Sequence, residues 1–325
     1  MKDKEKAEGK GEPTGMNFAD RVSRCIQEFG PLVVGFDPHI EYLPPFILEQ
    51  EFKKKGKTWE ALANAVSMTN QKLLDELCGL VGMIKIQIAF YEMLGIPGMI
   101  ALKSTIEYAR SLGYIIILDG KRNDISSTAL AYARGYLSSV LFPGGQLESF
   151  WNVDALTVNP YLGEDGLSPF IEEADKTDKG ILVLCRTSNK SAPTIQDVSG
   201  SEKVYVKVAK MVEAMGEKMI GESGLSSIGI VVGATYPEEL KLLRTNFPSL
   251  LFLIPGVGVQ KGDINSLAYA FRSDGLGAIV NVSRDIIFAY REDAGNPLGE
   301  GFEKKARERA VYYQEKFREF SDEKS

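Results

Sequence analysis

Histidine is almost missing: His39 is the only one among 325 residues. An HExxH zinc site is therefore excluded, and a histidine-based triad would have to use His39. His39 lies in a segment between two apolar runs and reads as a loop residue. Cysteine is scarce as well. Cys25, Cys78 and Cys185 are widely spaced and odd in number, which argues against a disulfide framework or a zinc cluster and for a reducing cytoplasm. No apolar run approaches the roughly 18 residues of a membrane helix. There is no long basic block and the net charge is −6, so neither membrane nor nucleic acid is an expected partner. The opening stretch, MKDKEKAEGKGEPTG, is charged and has no apolar segment of the kind a secretory signal needs. Residues 1–15 are expected to form a disordered tail and 16–325 a single folded domain. Any acid–base chemistry falls to Asp, Glu and Lys.

What is present is a repeated alternation. Apolar, Val/Ile/Leu-rich runs occur at 31–38, 83–90, 114–121, 154–160, 180–188, 227–235, 251–258 and 277–284. Longer segments of helical period lie between them. In 58–78, Trp59, Leu62, Val66, Thr69, Leu73 and Leu77 share one face, with Thr58 as N-cap. The segment 99–112 stops before Gly113, a C′ glycine. In 302–320, Phe302, Ala306, Ala310, Tyr313, Phe317 and Phe320 repeat at three- and four-residue spacing. Near-continuous apolar strands separated by helices specify a parallel sheet. Eight such units predict an α/β fold, a single closed (β/α)8 TIM barrel. The alternative, a doubly wound open sheet, would normally carry a glycine-rich fingerprint after its first strand, and GFDPHI is not one. Residues 39–57 and 143–153 read as insertions.

In such a barrel function gathers at the C-terminal strand ends. Here those ends carry Asp37, Lys85 and Gln87, Asp119 and Lys121, Asn159, Thr187 and Ser188, Thr235, Gly256 and Gly258, and Arg284. Residues two apart on a strand share a face, so Asp119 and Lys121 point together into the barrel mouth, as do Lys85 and Gln87. Flanking carboxylates favour the ammonium form of Lys121. That makes it a poor Schiff-base nucleophile and a good proton donor to carbon charge, with no covalent intermediate. The glycine-rich PGVGVQKGD after strand seven, with Gln260, and Arg284 after strand eight form the expected phosphate site. The polar stretch 185–200 reads either as a lid or as a plain connection.

LDGKRNDI contains a DxKxxD motif. With GFDP, KIQIAFYE, VNPYLGEDG, LCRTSN, VVGAT, PGVGVQKGD and NVSR at the other strand ends, the chain resembles the orotidine 5′-phosphate decarboxylase family, and its longer subgroup, over residues 17 to 320. The resemblance implies conversion of orotidine 5′-phosphate to uridine 5′-phosphate and CO2, the last step of de novo pyrimidine synthesis, with no cofactor and no metal. It implies a homodimer. By position, Lys121 would protonate C6, Asp119 would lie against the departing carboxylate and Lys85 would order the charges and contact the ribose. Asp37 would bind the ribose and Ser188 would read the pyrimidine edge. Gln260 and Arg284, with Gly256 and Gly258, would grip the phosphate, while Asp124 and Thr128 would reach the partner's site. Gln87 belongs to the same substrate-binding set. Two alternatives stand beside this one. A Mg²⁺-dependent sugar-phosphate decarboxylase or aldolase shares DxKxxD but needs an acidic metal ligand where Lys85 stands. A non-catalytic nucleotide-binding barrel would not need the charged set.

Overall fold

The computed structural model describes residues 15–198, 200–257 and 264–322. The expected tail lies outside them except for Gly15. Eight parallel strands close on themselves: β1 Leu32–Phe36, β2 Met83–Gln87, β3 Ile115–Arg122, β4 Ala155–Val158, β5 Gly180–Arg186, β6 Ser226–Val232, β7 Leu250–Ile254 and β8 Ala278–Val282. Each pairs with its sequence neighbours and β1 pairs with β8, so the open-sheet alternative is excluded.

The strand bodies are buried on both faces, as a barrel wrapped in helices requires. Val33, Met83, Ile117, Ala155, Leu182, Leu253 and Ile279 fill the interior, and their neighbours one residue along pack outward under the helices. The helix Phe18–Phe29 precedes β1 and adds Phe18, Ala19, Val22 and Cys25 to the interior cluster. Asn17 caps it, its side chain accepting the Asp20 N–H at 2.9 Å. Phe18 is fully buried, so Phe18→Ala is expected to cost about 3–5 kcal/mol.

The expected helices form. Thr58 accepts the Ala61 N–H at 3.2 Å and starts the helix Trp59–Leu77. Val66, Thr69, Leu73 and Leu77 are buried, but Trp59 is 59% exposed, a correction to its expected face. As the first residue of the helix it has no preceding turn to complete that face. The helix Gly95–Ser111 begins earlier than expected and ends before Gly113, which donates to the Arg110 carbonyl. In Phe302–Asp322, residues 302, 306, 310, 313 and 317 are buried; the side chain of Phe320 is outside the described set. The first insertion is itself structured, holding the helix Pro45–Lys55. The second supplies one strand of an exposed antiparallel ribbon, Leu147–Glu148, which pairs with Val140–Leu141 just before the insertion. Among the described residues no helix is long and apolar enough to cross a membrane.

Candidate active site

The site is built on a break in β3. Its ladder with β4 slips between Leu118 and Arg122. Within the slip Lys121 has φ 45°, a left-handed backbone rare for a residue with a side chain. Such conformations cost on the order of 1–3 kcal/mol and persist where neighbours hold them. Thr157 on β4 does so: its hydroxyl oxygen accepts the Lys121 N–H at 2.9 Å.

Lys121 thereby turns back on Asp119, Nζ to Oδ1 at 2.6 Å. The same oxygen accepts the Thr157 hydroxyl at 2.8 Å. The other carboxylate oxygen accepts Lys85 Nζ and Gln87 Nε2, each at 3.0 Å. Lys85 Nζ also faces Asp37 Oδ1 at 3.6 Å. The result is an alternating row, Asp37, Lys85, Asp119, Lys121. Burial alone would push Asp119 up, but the two ammonium groups and the Lys121 and Thr157 hydrogen bonds hold it well below the usual carboxylate range. Burial alone would push Lys85 down; Asp119 and Asp37 outweigh it, and the ammonium form is favoured beyond the ordinary lysine value.

Asp37, Lys85, Gln87, Asp119, Ser188, Gly256 and Arg284 meet around one cleft of about 240 Å³ at the barrel mouth. Lys121 stands at its rim, 46% exposed. Asp37 Oδ1 is buried and, beyond the ion pair with Lys85 at 3.6 Å, has no hydrogen-bond partner among the described residues, so it can accept a ligand hydroxyl. Arg284 lines the cleft and makes no ion pair among the described residues, which leaves its guanidinium for an anion.

Other expectations are redirected. Asp124 does not flank Lys121 within the chain; its carboxylate accepts the N–H of Ile125. One carboxylate, Asp119, therefore pairs with Lys121 here. Thr128 is exposed on the helix Ser126–Tyr136, away from the cleft. Thr187 is tied to Gln196, the Asn159 side chain accepts the Tyr161 N–H, and Thr235 is exposed, so none of the three joins the cleft. His39 packs on Phe90 with ring centres 4.4 Å apart, as a loop residue. Gly258 and Gln260 lie outside the described residues.

Sequence reasoning missed Thr157 and Asn281. Both are polar residues inside otherwise apolar strands; asparagine is depleted in strands and so carries a signal, whereas a lone threonine does not. Asn281 is nearly buried and lines the cleft; its side-chain oxygen has no partner among the described residues, while its amide donates to Ser283.

A closed barrel whose strand ends hold alternating acids and lysines beside an arginine without an acid partner defines a (β/α)8 enzyme for an anionic substrate. The chain belongs to the Orotidine 5′-phosphate decarboxylase / HUMPS family, whose model matches residues 31–295. It is 40% identical over 280 residues to the orotidine 5′-phosphate decarboxylase of Rhodopirellula baltica, covering 86% of this chain and 90% of that one. It is 36% identical over 304 residues to that of Clostridium perfringens strain 13, covering 93% and 98%. Among solved structures it resembles the OMP decarboxylase of Leishmania donovani, with TM-score 0.64, 29% identity and coverage of 91% and 99%.

Proposed function

We propose that this protein decarboxylates orotidine 5′-phosphate to uridine 5′-phosphate and CO2 in pyrimidine biosynthesis. The observation that carries the reading is the row Asp37, Lys85, Asp119, Lys121, whose first three members line one cleft with Arg284 while Lys121 stands at its rim. Cleavage of the C6–carboxylate bond leaves its electron pair on an sp² ring carbon with no electron sink. A fixed ammonium there stabilises the developing charge, and such pre-placed charge is commonly the largest single contribution to rate. In this reading the Lys121 Nζ proton passes to C6 as CO2 leaves, and the half-exposed amine regains a proton from water. Asp119 lies against the departing carboxylate while fixing both lysines. Gln87 supports Asp119 from the side.

Asp37 and Lys85 take the ribose hydroxyls, and Ser188 reads the pyrimidine edge. Arg284 grips the phosphate together with Gly256, Gly258 and Gln260. Remote phosphate binding then serves to align the ring. The enzyme works as a cytoplasmic homodimer in which Asp124 and Thr128 serve the partner's site. Three features support that assembly: Asp124 makes no pairing with its own Lys121, Thr128 is exposed, and Ile96, Ile100 and Phe150 leave an apolar flank uncovered. The Mg²⁺-dependent alternative would require a metal ligand where Lys85 already neutralises Asp37 and Asp119.

The test is to follow the absorbance of orotidine 5′-phosphate with and without EDTA, measuring uridine 5′-phosphate and CO2 as products. Equal amounts of the two, formed at the same rate with chelator, are expected. No turnover, or turnover that EDTA abolishes and Mg²⁺ restores, would overturn the proposal.

A further inference from the structure

Arg186 ends β5 and is 1% exposed, yet it takes no part in the charge row of the cleft. A buried guanidinium is costly unless its donors are used, and the partners here come from the polar stretch that follows it. Nη1 donates to Gln196 Oε1 at 3.2 Å and Nη2 to Asp197 Oδ2 at 3.4 Å. The guanidinium carbon stacks 3.7 Å from the Tyr236 ring centre. Gln196 extends the tie. Its Oε1 also accepts the Thr187 N–H at 2.9 Å, and its Nε2 donates to the Thr187 hydroxyl at 2.7 Å.

Ser188 sits inside this knot, between Thr187, held by Gln196, and Asn189, which accepts the Thr187 hydroxyl at 2.6 Å. It also lies hard against the end of β6. A Cβ on Gly233 would come within 2.8 Å of Ser188 N and Cβ, so only glycine admits the loop there. The Gly233 N–H donates to the Arg186 carbonyl at 2.7 Å, fastening the same point from the backbone side. Ser188 in turn lines the cleft with Gln87 and Asp119.

We infer that Arg186 is a positioning residue for recognition of the nucleobase: by anchoring Gln196 and Asp197 it fixes Ser188 at the pyrimidine edge. The inference rests on the placement of Ser188 at the base given above. It separates base recognition from phosphate recognition, which the opposite wall supplies through Arg284.

The test compares Arg186→Met with the wild type. Methionine keeps part of the apolar stem but gives up the guanidinium, its hydrogen bonds and its stack on Tyr236, and Asp197, still 27% exposed, keeps water. Dissociation constants are measured for uridine 5′-phosphate and for ribose 5-phosphate, which lacks the base, and KM and kcat for orotidine 5′-phosphate. Losing charged hydrogen bonds predicts about 10- to 100-fold weaker uridine 5′-phosphate binding, unchanged ribose 5-phosphate binding, and KM rising by more than kcat falls. Gln196→Ala, which leaves Arg186 in place, is expected to show the same selective loss, and it decides the matter if Arg186→Met does not fold. Equal weakening of both ligands, or no weakening of either, overturns the inference while leaving the decarboxylase reading intact. A wild type without turnover takes both down.

Discussion

Asp119 Oδ1 holds Lys121 at 2.6 Å while its other oxygen holds Lys85 at 3.0 Å, so one carboxylate spaces two ammonium groups at the barrel mouth. That arrangement governs which charges the site can change. Burial works to raise the Asp119 pKa, but Lys85, Lys121 and the Thr157 hydroxyl depress it below the carboxylate range. A depressed carboxyl contributes stability that is complete above its unfolded value of about 3.9 and is lost only as pH falls through the folded value. Asp119→Asn therefore destabilises the fold by up to about 3–5 kcal/mol, with Asp37 still facing Lys85. Between about pH 5 and about pH 8 the gap to wild type stays constant. Urea midpoints across that range check it; a gap that widens as pH falls from about 8 toward about 5 would mean that the carboxyl is raised rather than depressed.

The partner-site role of Asp124 is tested by mixing two inactive variants. Lys121→Ala and Asp124→Ala are each expected to be nearly inactive alone. In randomly paired dimers half are hybrids, and each hybrid has one site with both wild-type residues, so about a quarter of wild-type activity returns. If mixing restores nothing while hybrids are seen by mass, Asp124 serves its own chain.

Arg284 has no acid partner among the described residues, and the proposal gives it the phosphate. Arg284→Ala is expected to lower uridine 5′-phosphate affinity about 10- to 100-fold, the worth of one lost charged hydrogen-bonding group. Binding of uridine, which carries no phosphate, should not change. Calorimetry with both ligands decides, and equal losses would place Arg284 elsewhere in the site.

Much of this was legible in the sequence, for physical reasons that differ by residue. The barrel follows from eight apolar runs, because strands buried on both faces cannot alternate. The cleft set Asp37, Lys85, Gln87, Asp119, Ser188, Gly256 and Arg284 follows from reading strand ends alone. Asp119 and Lys121 were paired by strand alternation, yet the pair is made by a slipped ladder and a left-handed lysine that no periodicity encodes. Asp119 and Asp124 bracket Lys121 in the sequence, but two residues beyond the strand the Asp124 carboxylate is taken up by the next backbone N–H. Thr157 was passed over because a lone threonine in a β-strand is ordinary; only its contacts mark it. The helix Pro45–Lys55 was hidden in what read as an insertion: its exposed lysines and few buried residues give it little amphipathic signal.

In the proposed reaction the Lys121 ammonium supplies the charge and the proton at the reacting carbon. Single-turnover decarboxylation by Lys121→Ala, at saturating orotidine 5′-phosphate and with thermal unfolding checked in parallel, tests it most directly. The expected result is a folded protein whose chemical step is slower by well over the roughly 10²–10³-fold typical of one lost electrostatic donor. A folded variant that turns over near the wild-type rate would contradict it.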